Sequence, residues 1–325
     1  MNKGFKVSGC ERQSRVGMSI RSILVSELFL RPNKFLYRIF RPTPKTIRWI
    51  IHPLSSVANF LTSPFHRVTC EKDEFGGVPG VIYHPKKSRD SRRIVVYLHG
   101  GGYCWGSSKN THRVGLSNFA RISKISIYCI EYRLAPEHPY PAALDDVQKA
   151  WNDIAGRFPE SEIILAGDSA GGGLSLALMM RIRDNGSKMP DASVLFSPWT
   201  DLTCSSDSYN TRASSEPMFP REAPEDHARY YVPEKIDKSI PEISPVNGSF
   251  RGFPRMLILV GGREILLDDS RQVCDKASKD GVDVQLDIWP KMFHDWWLFG
   301  FLVPESEKCL LEVARWICLS NLDCL

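Results

Sequence analysis

Residues 163–173 read IILAGDSAGGG, an apolar strand that runs directly into a serine between glycines and then into a helix. The glycines allow a turn so tight that the hydroxyl of Ser169 stands at its tip, the arrangement called a nucleophile elbow. A serine held in such a strained turn is hard to explain by packing alone. The stretch therefore predicts a catalytic serine, and the rest of the chain should supply a base, an acid and donors for an oxyanion.

A second glycine-rich loop follows another apolar strand, where residues 95–103 read VVYLHGGGY. Three successive glycines let backbone N–H groups converge on a developing negative charge without obstruction from side chains. The N–H of Ala170, at the start of the helix after the serine, would join them. We therefore predict an oxyanion hole formed by Gly100, Gly101, Gly102 and Ala170.

The base and the acid are predicted from their places after strands. A serine hydroxyl needs an imidazole to accept its proton, and His294 follows the last predicted strand, at the sheet edge where Ser169 is expected. The acid should stand between serine and histidine in the chain. The strand at 256–260 delivers Glu264 first and Asp268 second. Glu264 is favoured because it is nearer to the strand end, and Asp268, the alternative, suits the first turn of a helix.

Beyond residue 66 the chain alternates β-rich runs with helical patterns. Strands are predicted at 66–72, 80–84, 93–98, 125–131, 162–166, 191–197, 255–260 and 284–289, and helices at 141–157, 169–185 and 268–280. This alternation predicts an α/β fold with a mostly parallel eight-stranded sheet covered on both faces. The first strands lack helices between them, which indicates an antiparallel start.

The same alternation divides the chain. The catalytic domain is predicted at 66–202 and 246–325, a polar insertion at 203–245, and N-terminal cap helices at 1–65. We expect the insertion and the N-terminal helices to form a lid over the strand ends, where open α/β sheets bind their ligands.

Two segments between residues 18 and 62 have apolar residues at helical spacing, with Lys and Arg among them. Basic amphipathic helices can lie on membranes, but the same pattern also buries one face against a domain. We favour the packed lid, so membrane contact is not expected. The chain also has no uninterrupted run of about 18 apolar residues that would predict a spanning helix. The apolar positions are Ile20, Ile23, Leu24, Leu28 and Leu30, then Ile47, Trp49, Ile50 and Ile51.

Composition narrows the function classes. The chain has 325 residues, 42% of them apolar and 10% aromatic, which is ample for one large catalytic core. A formal charge of +5 on scattered Lys and Arg argues against nucleic acid as a partner. Nine cysteines, an odd number placed largely in apolar runs, favour reduced thiols and a cytoplasmic location. Their spacing gives no metal-binding cluster with histidine.

Several motifs together resemble the hormone-sensitive lipase-like branch of the α/β-hydrolases, known in bacteria as family IV esterases. They are HGGG at 99–102, EYRLAPEHPYPA at 131–142 and GDSAG at 167–171, and the similarity continues to Phe293-His294, so it covers about 95–300. The resemblance implies an α/β-hydrolase fold, hydrolysis of a small-molecule carboxylic ester through an acyl-serine, no cofactor, and a homodimer. Family members commonly carry aspartate at the position of Glu264.

The substrate is less constrained than the reaction. Tyr103, Trp105, Trp296 and Trp297 are predicted near the cleft and could wall a compact pocket for short to medium acyl chains, or they could be core residues. Related family members cleave aryl-amides or remove acetyl groups, which is the alternative within enzymes. Some relatives are non-catalytic ligand receptors that have lost the base, and the presence of His294 argues against that class.

Overall fold

In the computed structural model, which describes residues 10–86 and 92–318, nine strands form a single sheet with a hydrophobic cluster on each face. Across the sheet the order is β1, β9, β8, β7, β6, β4, β5, β3, β2. Neighbours are parallel except that β3 is antiparallel to both β2 and β5. The strands are β1 (Glu11–Gln13), β2 (Val68–Phe75), β3 (Val78–Pro85), β4 (Arg93–Leu98), β5 (Ser126–Ile130), β6 (Glu162–Asp168), β7 (Ala192–Phe196), β8 (Arg255–Gly261) and β9 (Val284–Trp289).

Helices cover both faces of this sheet. They are α1 (Ile20–Leu24), α2 (Arg31–Phe40), α3 (Pro44–His66), α4 (Arg113–Ser123), α5 (Ala142–Arg157), α6 (Ser169–Asp184), α7 (Ser208–Thr211), α8 (Glu222–Tyr231), α9 (Leu267–Lys279) and α10 (Glu305–Cys318). A π-helical segment, Val25–Leu30, joins α1 to α2, and 3-10 turns occur at Pro245–Asn247 and Trp296–Leu302. The division of the chain into a catalytic domain and a cap stays a prediction.

The α/β fold is confirmed, and the eight predicted strands all form within three residues of their predicted bounds. The count of eight is wrong by one. The ninth strand, β1, has the sequence Glu-Arg-Gln and pairs in parallel with β9 at the sheet edge. A three-residue polar strand has no apolar alternation, so no sequence pattern could indicate it. Helix α4 was also missed, because Gly115 and two serines interrupt its helical pattern.

The prediction that all cysteines are reduced is wrong for one pair. Cys10, which immediately precedes β1, is joined by a disulfide to Cys274 of α9. Residues 264 positions apart in the chain have no local signal that pairs them, which is why their contact could not be predicted. Among the described residues the free thiols include Cys104, Cys129, Cys204 and Cys309, which are all buried.

The packed-lid expectation for the N-terminal helices, α1 to α3 with their π-helical segment, is only partly met. Leu30 and Ile47 are buried, as expected of an inward face. The other predicted positions are not, because the inward side of these helices carries serine, arginine and lysine that bond to the rest of the protein. The exposed ones are Ile20, Ile23, Leu24, Leu28, Trp49 and Ile50.

The topology brings four loops to one edge of the sheet. In parallel strands the carboxyl ends lie at the same edge, and the pairings Leu98 with Gly167 and Gly261 with Trp289 place these ends side by side. The loops after β4, β6, β8 and β9 carry the glycine triplet, Ser169, Glu264 and His294. No helix in the described part of the chain is long and apolar enough to cross a bilayer.

Candidate active site

The serine turn has the geometry that its glycines predict. Strand β6 ends at Asp168 and α6 begins at Ser169, which has a left-handed φ of +51°. Gly171 is required by close approach, because a Cβ on it would lie 2.0 Å from the carbonyl oxygen of Leu98. The first turn of α6 therefore packs directly on the end of β4, and this contact fixes Ser169 next to the glycine loop.

The imidazole of His294 is held by Glu264. Its Nδ1 lies 2.7 Å from Oε2 of Glu264, and both side chains are buried. The other carboxylate oxygen, Oε1, accepts hydrogen bonds from the N–H of Gly261 at 2.5 Å and the hydroxyl of Ser197 at 2.7 Å. These bonds fix the carboxylate plane, so Oε2 is the oxygen that faces the histidine.

Asp268, the alternative acid, bonds elsewhere. Its Oδ2 accepts a hydrogen bond from the N–H of Ser208 at 2.9 Å, and its Oδ1 lies 3.3 Å from the guanidinium of Arg271. It stands in the first turn of α9, as its sequence position suggested. The geometry therefore joins His294 to Glu264 and not to Asp268.

A second carboxylate lies against the other imidazole nitrogen. Asp295 has a left-handed φ of +50°, and its Oδ2 is 3.1 Å from Nε2 of His294. Within the described residues, the Ser169 hydroxyl makes no hydrogen bond to His294. Sequence reasoning missed Asp295 because a residue next to a histidine in the chain usually points away from it, and only the left-handed backbone turns it back.

These carboxylates control the protonation of the imidazole. Burial alone lowers the pKa of His294, but the negative charges of Asp295 and Glu264 offset this and raise it well above its usual range. Burial is the main reason that the pKa of Asp295 is raised to about 7. The charge of Asp168 also raises this pKa, whereas the charge of His294 lowers it. The resting site therefore favours an imidazolium between two acidic groups.

Asp168 holds the glycine loop in place. Its Oδ1 accepts the N–H of Gly100 at 2.9 Å and the hydroxyl of Tyr97 at 2.6 Å, and its Oδ2 lies 3.0 Å from Nε2 of His112. Burial alone would raise the pKa of Asp168, but His112 and the hydrogen bonds to the carboxylate lower it to about 2. A buried aspartate next to the serine thus ties the loop after β4 to the loop after β6.

The three glycines at 100–102 differ in what their N–H groups contact. Gly100 uses its N–H on Asp168, whereas Gly101 and Gly102, with φ of +115° and +60°, present N–H groups that bond to nothing within 10–86 and 92–318. A Cβ on Gly101 would lie 1.9 Å from the carbonyl oxygen of Trp105, so only glycine fits there. His99 bonds Gly100 through Nδ1 at 2.9 Å and stacks on Tyr132, which fits a loop-holding role.

Residues 203–245, the predicted insertion, supply groups near the site that sequence reasoning did not single out. The ring of Phe219 packs edge-on against that of His294, with centroids 4.9 Å apart. The ring of His227 lies against Gly102 and accepts a hydrogen bond from the indole N–H of Trp105 at 3.2 Å. Glu216 is fully buried, and burial with the nearby Glu264 raises its pKa to about 7. A polar insertion predicts a lid, but no spacing indicates which of its residues reach the site.

The four aromatic residues predicted near the cleft separate into two groups. Tyr103 lies in the glycine loop and stacks on Tyr231 with centroids 3.8 Å apart, and the half-buried Trp105 follows it. Trp297 instead stacks on Phe196, and Trp296 packs against Trp289, in the cluster on one face of the sheet. For Trp296 and Trp297 the structure therefore favours the alternative that they are core residues.

No group of three or more histidine, cysteine, aspartate or glutamate side chains within the described ranges could hold a metal ion. The charged groups around Ser169 instead pair with one another, as Asp168 does with His112 and Glu264 with His294.

Comparisons with known proteins show the family of this chain. A family model of the alpha/beta hydrolase fold matches residues 95–298. An acetyl-hydrolase of Streptomyces hygroscopicus is 36% identical over 230 residues, which are 70% of this chain and 76% of that protein. An esterase of Acinetobacter venetianus is 32% identical over 240 residues, 73% of this chain and 78% of that protein.

Solved structures of bacterial esterases are also similar to this chain. The crystal structure of an esterase from the bacterial hormone-sensitive lipase family superposes with a TM-score of 0.82 at 31% identity, covering 93% of this chain and 98% of that one. An esterase/lipase from an uncultured bacterium gives a TM-score of 0.83 at 32% identity, covering 92% and 98%. The chain therefore belongs to the α/β-hydrolase family, in its hormone-sensitive lipase-like branch, and is a carboxylesterase of the serine hydrolase class.

Proposed function

We propose that this carboxylesterase works through a triad of Ser169, His294 and Glu264 and an acyl-serine intermediate. The observation that supports this most strongly is the buried 2.7 Å contact between His294 and Glu264, at the sheet edge that also carries Ser169 on its strained turn. Ser169 Oγ attacks the ester carbonyl carbon while Nε2 of His294 takes its proton. Glu264 holds Nδ1–H and stabilises the imidazolium that forms.

The negative oxygen of the tetrahedral intermediate would be bound by backbone donors. We assign this role to the N–H groups of Gly101, Gly102 and Ala170, and we give Gly100 the task of holding the loop through Asp168. Ala170 is the second residue of α6, so its N–H has no acceptor within the helix. Loss of one such donor typically costs about 3 kcal/mol in the transition state.

The second half of the reaction reverses the first. The imidazolium of His294 gives its proton to the leaving alkoxide as the carbon–oxygen bond breaks, which leaves the acyl group on Ser169. Neutral His294 then takes a proton from water, which attacks the acyl carbon. When this intermediate collapses, the serine oxygen regains the proton and the carboxylic acid leaves.

The contact between Asp295 and Nε2 of His294 must break before this nitrogen can accept the proton of Ser169. The charge of Asp295 also affects the pH at which the imidazole becomes neutral, which gives a testable prediction. Catalysis needs the neutral imidazole, so activity rises as His294 loses its proton. The charge of Asp295 raises the pKa of His294. Asp295→Asn removes this charge, lowers that pKa and should move the acid limb of the kcat/KM profile to lower pH.

The control for this experiment is Asp283→Asn, which removes an exposed carboxylate at the start of β9. Its pH profile should match that of the wild type. An acid limb that stays in place in Asp295→Asn, or moves to higher pH, would contradict the role given to Asp295. The other charged groups near His294 and Asp295, namely Glu264, Asp168 and Glu216, are unchanged in both variants.

We propose short to medium acyl chains as the preferred substrates, because Tyr103, Trp105 and His227 fill space beside the glycine loop. The similarity to an acetyl-hydrolase supports the short end of this range. For nitrophenyl acetate, butyrate, hexanoate and laurate, we expect kcat/KM to be at least about tenfold higher for one of the first three than for laurate. Trp105→Ala should move the optimum to longer chains, and an optimum at laurate in the wild type would refute the assignment.

Two further properties stay predictions. A homodimer is expected from the family resemblance, and sedimentation would measure it. A cytoplasmic location was expected from reduced cysteines, and the Cys10–Cys274 disulfide removes that argument for one pair.

A further inference from the structure

Helix α2 turns its basic side toward the protein. Lys34 Nζ donates to the carbonyl oxygens of Ala213 and Glu216, both at 2.6 Å, and Arg31 donates to that of Ser214 at 3.0 Å. The opposite side of the helix is apolar and faces outward. It consists of Phe35, Leu36, Ile39 and Phe40, of which Phe35 and Phe40 are 64% and 71% exposed.

Helix α3 is arranged in the same way. Arg48 points inward and donates to the carbonyl oxygen of Cys104 at 2.7 Å, and Asn59 donates to that of Asn110 at 2.8 Å. The residues that face outward, at helical spacing, are Trp49, Ile50, Leu54 and Val57, and Trp49 is 79% exposed.

Helix α1 completes the pattern. The side chain of Ser22 is buried and donates to the carboxylate of Glu305, whereas Ile20, Ile23 and Leu24 face outward. Three successive helices thus bond to the protein through polar groups and expose most of their large apolar side chains. A helix that packs on a domain in water has the reverse arrangement, and an apolar surface spread over several elements marks a binding surface.

The charge of residues 18–66 indicates which kind of partner binds the outward apolar side chains. Residues 18–66 contain one acidic residue, Glu27, against seven basic ones. Three of the seven bond inward, and the other four, Arg21, Arg38, Arg41 and Lys45, are exposed, with Arg38 and Arg41 about half exposed beside their acidic partners. A face-to-face contact between two copies would bring two such basic segments together, which is unfavourable. Anionic lipid headgroups complement it instead. The basic residues are Arg21, Arg31, Lys34, Arg38, Arg41, Lys45 and Arg48.

We propose that the outward apolar side chains of α1, α2 and α3 form a membrane-binding surface that lies on an anionic phospholipid leaflet. These side chains enter the boundary between headgroups and acyl chains, and the exposed basic residues Arg21, Arg38, Arg41 and Lys45 meet lipid phosphates. The helices lie in the plane of the leaflet and do not cross it. This reverses the expectation, drawn from the sequence, that membrane contact is absent.

The surface lies close to the active site. Tyr37, on the inward side of α2, stacks on His227 with ring centroids 6.5 Å apart, and His227 lies against Gly102 of the glycine loop. One helix diameter, about 10 Å, therefore separates the outward face of α2 from this contact. If the proposed function holds, an ester dissolved in the leaflet reaches Ser169 by a short path, whereas membrane binding itself does not depend on hydrolysis.

The test is sedimentation of the full chain with vesicles of phosphatidylcholine alone and of phosphatidylcholine with phosphatidylglycerol. We expect the wild type to bind, and to bind the anionic vesicles more tightly. The triple variant Phe35→Gln, Phe40→Gln, Trp49→Gln should lower the partition coefficient at least about tenfold, because it removes three large apolar side chains from the interface. Its hydrolysis of a water-soluble nitrophenyl ester and its melting temperature should equal those of the wild type, which shows that it is folded.

Two control variants test whether binding depends on this surface and whether it is independent of catalysis. Leu311→Gln changes an exposed apolar residue of α10 and should bind vesicles like the wild type. Ser169→Ala should also bind fully, so a failure of the proposed catalysis leaves the binding result intact. The proposal is overturned by equal binding of the wild type and the triple variant, by equal binding to both lipid compositions, or by no vesicle binding. A wild-type dimer that the triple variant converts to a monomer would show instead that a second copy covers the face.

Discussion

Ser169→Ala should abolish ester hydrolysis, with kcat reduced on the order of 10⁵-fold or more. The substitution removes the only nucleophile that our account assigns, and the residual rate would come from the oxyanion donors and from binding of the substrate. The measurement is the initial rate on nitrophenyl butyrate, with protein purified away from host esterases.

Ser175→Ala is the matched control. This serine lies in the same helix and is fully buried, and its hydroxyl donates to the carbonyl oxygen of Gly171 at 2.8 Å. It has no role in the proposed chemistry, so kcat should stay close to the wild-type value. If Ser169→Ala retained activity near that of Ser175→Ala, the assignment of the nucleophile would be wrong.

Glu264→Gln should lower kcat on the order of 10⁴-fold, as loss of the orienting acid does in other serine hydrolases. The surrounding bonds give the reason. Gly261 N–H and Ser197 Oγ donate to Oε1, so the glutamine carbonyl would occupy that position and its NH2 group would face His294. An NH2 group cannot accept Nδ1–H, so the histidine would carry its proton on Nε2, where it cannot act as a base.

Asp268→Asn is the control for this substitution. It also removes a carboxylate after β8, but one that bonds Ser208 and Arg271 and does not reach the histidine. We expect at most a modest change in kcat. If Asp268→Asn were the more damaging of the two, the acid would have to be reassigned to Asp268.

The sequence could predict those parts of the site that local chemistry determines. An apolar strand followed by a glycine-flanked serine has few other interpretations, and chain order with strand ends led to His294 and to Glu264. In the structure these two are joined by a hydrogen bond. The same local reasoning located eight strands within three residues.

Other parts depend on contacts between distant segments and carried no local signal. Asp295 reaches Nε2 of its neighbour only because of a left-handed backbone, and His227 is placed against Gly102 by the packing of the insertion. Strand β1 is too short and polar to show a pattern. Trp296 and Trp297 were placed near the cleft by their distance in sequence from His294, but the chain turns them into the core.

The N-terminal helices show a different limit. Amphipathic spacing predicts that a helix has an apolar side, but it does not say which side faces the protein. For α2 the deciding contacts are those of Arg31 and Lys34 with carbonyl oxygens of residues about 180 positions later. The amphipathic pattern therefore predicts the helices correctly. It predicts the inward face correctly for Leu30 and Ile47, but most of the other apolar positions face outward.

Ser169 is proposed to become covalently acylated, and mass spectrometry after treatment with an organophosphate detects a covalent adduct on this residue. Such reagents react with a serine that a histidine has activated, and they form a stable phosphoryl-serine. We expect one adduct per chain, on the peptide that contains Ser169, and a greatly slowed reaction in Glu264→Gln. If the reagent inactivated the protein but left Ser169 unmodified, or formed its adduct on another residue, Ser169 would not be the nucleophile.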